Sequence, residues 1–543
     1  MLFLFATCNL FTTFALHLDM MKSLLPEKYH TYIYIFALIL LVVGLPLSKF
    51  LMSLSQIILA CNWILEGGLK SKGLLFIRNK PALIISSLLL LHILALTYTS
   101  DFAYALKDIK IKAPLLVLPL ILSTSKPLSR QMYHLILQFF VASIIIGTII
   151  SILILTGIIY RQLTDIRSVS IFISHIRFSL LIDIAIFIAI YFTFISRGMI
   201  LKSVWFLIIV WLISFLVISE SMTGLAALSF SALITIGYLI IKSPKKLVKL
   251  SGIVIILFIV GFGIYVTRQL MRAGPENEAI DFSALESMSP HGNPYSHDLQ
   301  SRLTENGHYI WIYVCHKELQ ESWNRKSSFS YSGKDLKGNN IVYTLVRFLA
   351  SKGLRKDADG VNSLSNEEVK AIERGVVNAN YQDLSSLEGR LHEIKWELDL
   401  YQATGDPNGH SITMRFEFWK AALGIVQDNP LIGVGTGDIK QAFEDQYVKM
   451  NSPLLPEWRL RSHNQYLSIA VAFGVLGLIW FLITLFYPMV LTNRTFDYLY
   501  ITFLLVATIS FLTEDTLETQ AGVTFYAFFN SFFLFIPRKW KAD

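Results

Sequence analysis

Cysteine is scarce in this chain: Cys8, Cys61 and Cys315 stand far apart, two of them inside apolar runs. That excludes a disulfide framework and a thiolate metal site. Charge is scarce too, with 16% charged residues against 54% hydrophobic ones among 543. Together with a mean hydropathy of +0.53, this excludes an ordinary soluble protein and indicates a polytopic membrane protein. The first apolar stretch, residues 1–18, has no basic region before it and no small-residue cleavage site after it, so it does not read as a cleaved signal peptide. Interrupted by Asn9 and His17, it reads as a short span or an interfacial helix. An internal repeat is missing, and few charges fall inside the apolar runs, Asp183 being the clear exception. Both absences argue against a transporter, whose pathway needs ionisable groups and broken helices at mid-membrane depth.

What is present is a series of apolar runs of membrane-crossing length. They fall at about 31–48, 50–66, 82–99, 112–124, 132–158, 178–196, 203–219, 222–241, 250–267, 464–487, 497–513 and 520–537. The fold class expected is therefore an all-α polytopic membrane protein of about twelve transmembrane helices. The formal net charge of +8 collects in short loops around Lys70, Lys72, Arg78 and Lys80, around Lys126 and Arg130, and around Lys242, Lys245, Lys246 and Lys249. Such loops face the cytoplasm. The charge needs no nucleic-acid partner. Alternation then puts Arg494 and the tail Arg538-Lys539-Trp540-Lys541 inside, and residues 268–463 outside.

The expected domains are an N-terminal segment 1–30, a membrane domain 31–267 of about nine spans, an external domain 268–463, and a C-terminal membrane domain 464–543 of about three spans. Residues 268–463 are too many for a loop. Ser365-Asn366-Glu367-Glu368 reads as a capping box. Leu384, Leu387, Leu391, Ile394, Leu398 and Tyr401 recur at helical spacing, which predicts an amphipathic helix. Tyr309 to Val314 reads equally as a buried strand or as the first turns of a helix. Asp357-Ala358-Asp359 has the form of a metal-binding acid pair, but it follows Arg355-Lys356 in a turn and lacks the further oxygen ligands of a calcium loop. No metal and no cofactor are expected.

The chemistry-bearing residues gather near the end of the external region. Met414-Arg415-Phe416-Glu417-Phe418-Trp419 is followed by Asn429-Pro430-Leu431-Ile432-Gly433-Val434-Gly435-Thr436-Gly437, and then by Ser462-His463-Asn464-Gln465-Tyr466-Leu467 at the start of an apolar run. The glycines read as a turn between helices, not as a phosphate cradle. This ordered set, with Phe473-Gly474-Val475-Leu476-Gly477 after it, resembles the O-antigen ligase and polymerase superfamily of bacterial membrane proteins. There an Arg-x-x-x-Trp helix, a Pro-Leu-Ile-Gly-x-Gly turn and a His-Asn-x-Tyr-Leu segment occur in this order beside a large periplasmic loop. The external insert and Ser174-His175-Ile176-Arg177-Phe178 look like the Bacteroidetes-type branch.

The resemblance implies a GT-C-like glycosyltransferase of the bacterial inner membrane, acting in lipopolysaccharide biosynthesis with its large domain in the periplasm. It would take a glycan from undecaprenyl pyrophosphate and pass it to a hydroxyl of lipid A-core. A polymerase extending one lipid-linked glycan with another, and a protein O-oligosaccharyltransferase, remain open because all three share the donor half of the site. The reaction needs a base for the acceptor hydroxyl and fixed cations for the pyrophosphate. His463 fits the first role, since a neutral imidazole is available near physiological pH. Arg415 is the family match for the second, joined by Arg461, Arg459 and Arg177 with His175 beside it, because guanidinium forks stay charged and grip phosphate. Asn464 and Tyr466 would orient the site, in a cleft between the external domain and the outer ends of the spans. The chain departs from the family at Ser219-Glu220-Ser221-Met222-Thr223-Gly224, where many members carry arginine at the position of Met222. Either Arg177, Arg268 or Arg272 supplies that charge, or the site differs.

Overall fold

The computed structural model describes residues 25–161, 166–272, 277–382, 387–495 and 497–537. The stretch 1–18, Leu384 and the tail from Arg538 lie outside the described residues. The described residues are overwhelmingly helical, and their one sheet is a two-stranded antiparallel hairpin, Thr304–Glu305 with His308–Tyr309.

Among the described residues, eight helices are long and apolar enough to cross a membrane: Glu27–Leu47, Lys80–Thr97, Arg130–Leu155, His175–Ile195, Met199–Ile218, Met222–Lys242, Lys246–Met271 and Gln465–Leu491. A ninth span results if Lys49–Leu65 and Leu69–Arg78, bent by 113°, count as one broken helix. The remaining three expected runs form helices of 11, 16 and 15 residues, Pro114–Thr124, Tyr498–Thr513 and Gln520–Leu534. At ~1.5 Å per residue these reach only about 16 to 24 Å, short of a ~30 Å hydrocarbon core. Two of them run at the centre of the bundle. Gln520–Leu534 is buried from Ala521 through Leu534, whereas Lys246–Met271 buries only Gly252.

Sequence decides these ends locally. Asp497 caps Tyr498–Thr513 by accepting from the Tyr500 N–H at 3.2 Å, and Thr519 caps Gln520–Leu534 through the Gly522 N–H at 3.3 Å. Phe525, Phe528, Phe529, Phe532 and Phe533 then line one helix, and of these Phe529 lies 5.0 Å from Phe140 and Phe532 5.1 Å from Tyr133 of Arg130–Leu155, centroid to centroid.

Two cores form. One joins the membrane helices with Phe418, Ala421, Ile425, Phe443 and Tyr447, so helices Thr413–Asp428 and Ile439–Lys449 pack with the spans. The other gathers Ile310, Leu319, Trp323, Leu345, Phe348 and Ile372 from the region between Lys246–Met271 and Gln465–Leu491. The ambiguous run from Tyr309 resolves as the end of the hairpin followed by bridged, non-helical chain, and the helix starts only at His316. The capping box forms, with Ser365 accepting from the Glu368 N–H and Glu368 reaching back to the Ser365 N–H. Asp357 caps Ala358–Asn362 and accepts from the Tyr295 hydroxyl at 2.5 Å, so the acid pair is used in local structure.

Candidate active site

The long helix Gln465–Leu491 is broken at Gly474, whose φ of 65° and ψ of −167° are not helical. A break inside an apolar helix leaves backbone groups without water to satisfy them. The Pro430-Leu431-Ile432-Gly433-Val434-Gly435 turn supplies the partners. Pro430 and Leu431 carbonyls accept from the Val475 and Leu476 N–H groups at 2.8 and 3.4 Å, while Val434 and Gly435 donate to the Val471 and Ala472 carbonyls, both at 2.9 Å. The approach demands glycine on both sides, since a Cβ at Gly433 would collide with the Ala472–Phe473 backbone and one at Gly474 with Leu431. The turn is pinned from a third direction. Tyr98 donates to the Ile432 carbonyl at 2.9 Å, Gly437 donates to Thr99 Oγ1 at 2.8 Å, and Asp438 accepts from the Ser100 and Asp101 N–H groups.

With the turn fixed, the segment ahead of the broken helix is fixed too. Trp419 Nε1 donates to the Ser462 carbonyl at 3.0 Å, which explains the Arg-x-x-x-Trp spacing: the tryptophan, one turn after Arg415, holds the histidine loop. Asn464 caps the helix by accepting from the Leu467 N–H at 3.1 Å, and its amide donates to the Leu512 carbonyl at 3.1 Å. Tyr466 donates to the Thr508 carbonyl at 3.0 Å. Both bonds tie the loop to Tyr498–Thr513 and its end. Asp515 is the hub. Its Oδ1 accepts from Asn464 N at 3.0 Å and Ser468 Oγ at 2.7 Å, and its Oδ2 accepts from His463 N at 3.1 Å. His463 is thereby held at φ 47°, a left-handed conformation that a non-glycine residue keeps only where its surroundings enforce it.

The side chains this produces form a compact charged cluster. Arg415 Nη2 lies 3.6 Å and Arg177 Nη2 3.9 Å from opposite oxygens of Glu514. Arg415 also donates to the Ser411 carbonyl at 2.7 Å, and Arg177 to Ser174 Oγ at 3.3 Å. The His463 ring lies 5.6 Å from Phe418, and its buried Nδ1 has no hydrogen bond among the described residues. Glu514 is 8% exposed. Burial raises its carboxyl above the usual glutamate range, while His463, Arg177 and Arg415 oppose the rise. Arg177, Arg415 and His463 each stand within a turn of a helix N-terminus, those of His175–Ile195, Thr413–Asp428 and Gln465–Leu491. Converging positive helix ends and two guanidinium groups make a site for an anion.

The other expected ligands lie elsewhere. Arg461 turns away to Glu518 at 2.7 Å and to the Tyr104 hydroxyl, joining a buried network in which Lys112 bridges Asp108 at 2.7 Å and Glu518 at 2.9 Å. Burial works to raise the Glu518 carboxyl, but Lys112 and Arg461 outweigh it and hold it well below the usual range. Arg459 donates to the Leu454 carbonyl at 3.0 Å. His175 is half-buried at the start of the Arg177 helix. Met222 follows the cap Ser221, and Gly224 packs against Ser179 of the Arg177 helix, so the departure from the family pattern lies next to the element carrying Arg177. Arg268 and Arg272 are exposed at the end of Lys246–Met271.

Glu514 and Asp515 were not among the expected site residues. Their signal was present: Glu514, Asp515 and Glu518 form a tight acidic group between two apolar runs of a chain poor in charge.

No curated protein matches the chain. A family model described as O-antigen ligase matches residues 360–482, which take in Arg415, Trp419, the glycine turn, His463 and Gly474 but not Arg177 or Glu514. That family carries ligase- or polymerase-type transfer of lipid-linked glycans in general terms. Over this segment the chain is similar to the O-antigen ligase family.

Proposed function

We propose that the protein is a glycan ligase of the bacterial inner membrane, moving a glycan from undecaprenyl pyrophosphate to a hydroxyl of lipid A-core on the periplasmic face. The observation that carries this reading is the meeting of His463, Arg415 and Arg177 around Glu514 at the mouth of the broken helix. Arg415 and Arg177 grip the pyrophosphate and balance the charge that grows on it as the glycosidic C–O bond breaks. The acceptor oxygen forms the new bond to the anomeric carbon, and its proton passes to the His463 imidazole. Glu514 steadies the resulting imidazolium and keeps the two guanidinium groups apart until substrate arrives. Asp515, Asn464, Tyr466 and Trp419 hold the histidine loop. Arg461 acts one step away, bracing that loop through Glu518. No step requires a metal or a cofactor.

The test is glycan transfer by His463→Ala in membranes carrying the lipid-linked donor, with lipopolysaccharide and donor lipid profiled together. Transfer should fall by at least about 100-fold, the scale of a lost general base, with full-length donor accumulating. Capping that persists with single repeat units only would favour a polymerase. Unchanged profiles would remove His463 from the chemistry.

A further inference from the structure

A cavity of about 1100 Å³, lined by no residue of the His463 cluster, opens where the end of Lys246–Met271 meets the external region. It exceeds the roughly 300–1,000 Å³ of small-molecule pockets. It has room for a ligand larger than a single sugar or nucleotide. Arg272, Asn306, Asn380, Tyr381, His392 and Lys395 line it. This wall is rich in amides and rings and holds both signs of charge, with Asp399 beside Lys395. Acyl chains would find no apolar groove there, and a polyanion would find no basic stripe. Amide side chains both donate and accept, as hydroxyl groups do, so the lining suits a polyhydroxylated chain.

The wall is built rigidly. Glu305, 1% exposed, accepts from Arg347 at 2.8 and 3.0 Å, from His392 Nε2 at 2.7 Å and from Asn378 Nδ2 at 2.8 Å. Every partner of that buried carboxylate is in place, and Tyr381 stacks on the fixed His392 ring at 4.7 Å. Tyr265 of the membrane helix donates to Glu388 at 3.0 Å, joining the helix to the cleft wall. The same wall reaches the active site. Trp396 packs edge-on against His410 at 5.6 Å, and the carbonyl of the next residue, Ser411, is held by Arg415. Tyr401 of the wall helix Leu387–Thr404 donates to Glu417 of the Arg415 helix at 2.9 Å.

We infer that this cleft is an oligosaccharide-binding site that holds a glycan more than one residue long beside the Arg415 helix. The inference rests on the ligase reading. Its glycan comes either from the donor or from the acceptor core, and one experiment separates the two. Full-length protein in phospholipid nanodiscs is titrated by calorimetry with oligosaccharide released by mild acid from the producing cell's undecaprenyl-pyrophosphate pool. A parallel titration uses delipidated core oligosaccharide from its lipopolysaccharide. One of the two binds. Asn380→Ala and Tyr381→Ala weaken that binding by about ten-fold, the effect of one or two lost hydrogen bonds or ring contacts, while Arg415→Ala leaves it in place. Asn380 is exposed, so its variant tests the cleft even if Tyr381→Ala fails to fold.

Equal binding by wild type and both cleft variants overturns the inference. So does the absence of binding by either probe in protein that still transfers glycan, and in that case the ligase reading stands. Protein that neither binds nor transfers overturns both.

Discussion

Glu514 is in an unfavourable position for a carboxylate and a useful one for a transferase. Because burial raises its carboxyl, the ionised form is less stable in the folded protein than in the unfolded chain. A raised carboxyl contributes its full stability below the unfolded value and loses it as pH rises through the folded one. Glu514→Gln mimics the protonated state and escapes that loss. The melting temperature of the variant in detergent should therefore gain on wild type as pH rises from about 4.5, while glycan transfer at neutral pH falls by about ten-fold or more, the cost of losing the charge that steadies the imidazolium. A variant both less stable at neutral pH and fully active would remove Glu514 from the site. The sequence pointed to His463, Arg415 and Arg177 from motif and position, and the three do come together. It did not separate Arg461 from them. Closeness along the chain says nothing about direction, and the left-handed turn at His463 sends Arg461 toward Glu518 and Tyr104.

At the scale of elements, the glycine turn and the broken helix are one unit. The sequence showed both parts, Pro430 to Gly437 and Phe473 to Gly477, and read the first as a turn. It did not show that the turn fills the gap in the helix, because that pairing joins segments about forty residues apart and leaves no local periodicity. Leu431 and Ile432 at its tip are 64% and 56% exposed, apolar surface suited to lipid. Gly474→Ala must place a side chain against the Leu431 backbone at a φ of 65°. Strain and overpacking together should cost about 2–4 kcal/mol. Reduced yield of monodisperse protein and a lower detergent melting temperature would register it, and Gly433→Ala should do the same from the other side. Gly261→Ala, in open space on the exposed helix Lys246–Met271, is the control that should change neither. Normal stability for both of the first two variants would mean that the turn does not support the break.

For the whole molecule, apolar runs and basic loops made the helical membrane frame readable. Each expected run coincides with a helix, but run length overstated what three of them span on their own. Pro114–Thr124, Tyr498–Thr513 and Gln520–Leu534 are shorter than a bilayer, because neighbours cover their ends and lipid does not have to. Tyr498–Thr513 nevertheless runs back to the His463 end of Gln465–Leu491, as the Tyr466–Thr508 and Asn464–Leu512 bonds require. Asp515 then reaches His463 from the same membrane face. The packing of Thr413–Asp428 and Ile439–Lys449 with the spans was hidden for a related reason. Their residues are polar enough to read as part of the external region, and only the shared core reveals their partners. The proposed topology can be tested with two exposed positions, Ser332 in the region after Lys246–Met271 and Lys245 in the basic loop before it. In a background with Cys8, Cys61 and Cys315 replaced, Ser332→Cys should react with a membrane-impermeant maleimide in intact spheroplasts, and Lys245→Cys only after lysis. Because the single helix Lys246–Met271 separates the two positions, labelling of both from the same side would mean that this helix does not cross. His463 and its arginines would then face the side without the proposed acceptor.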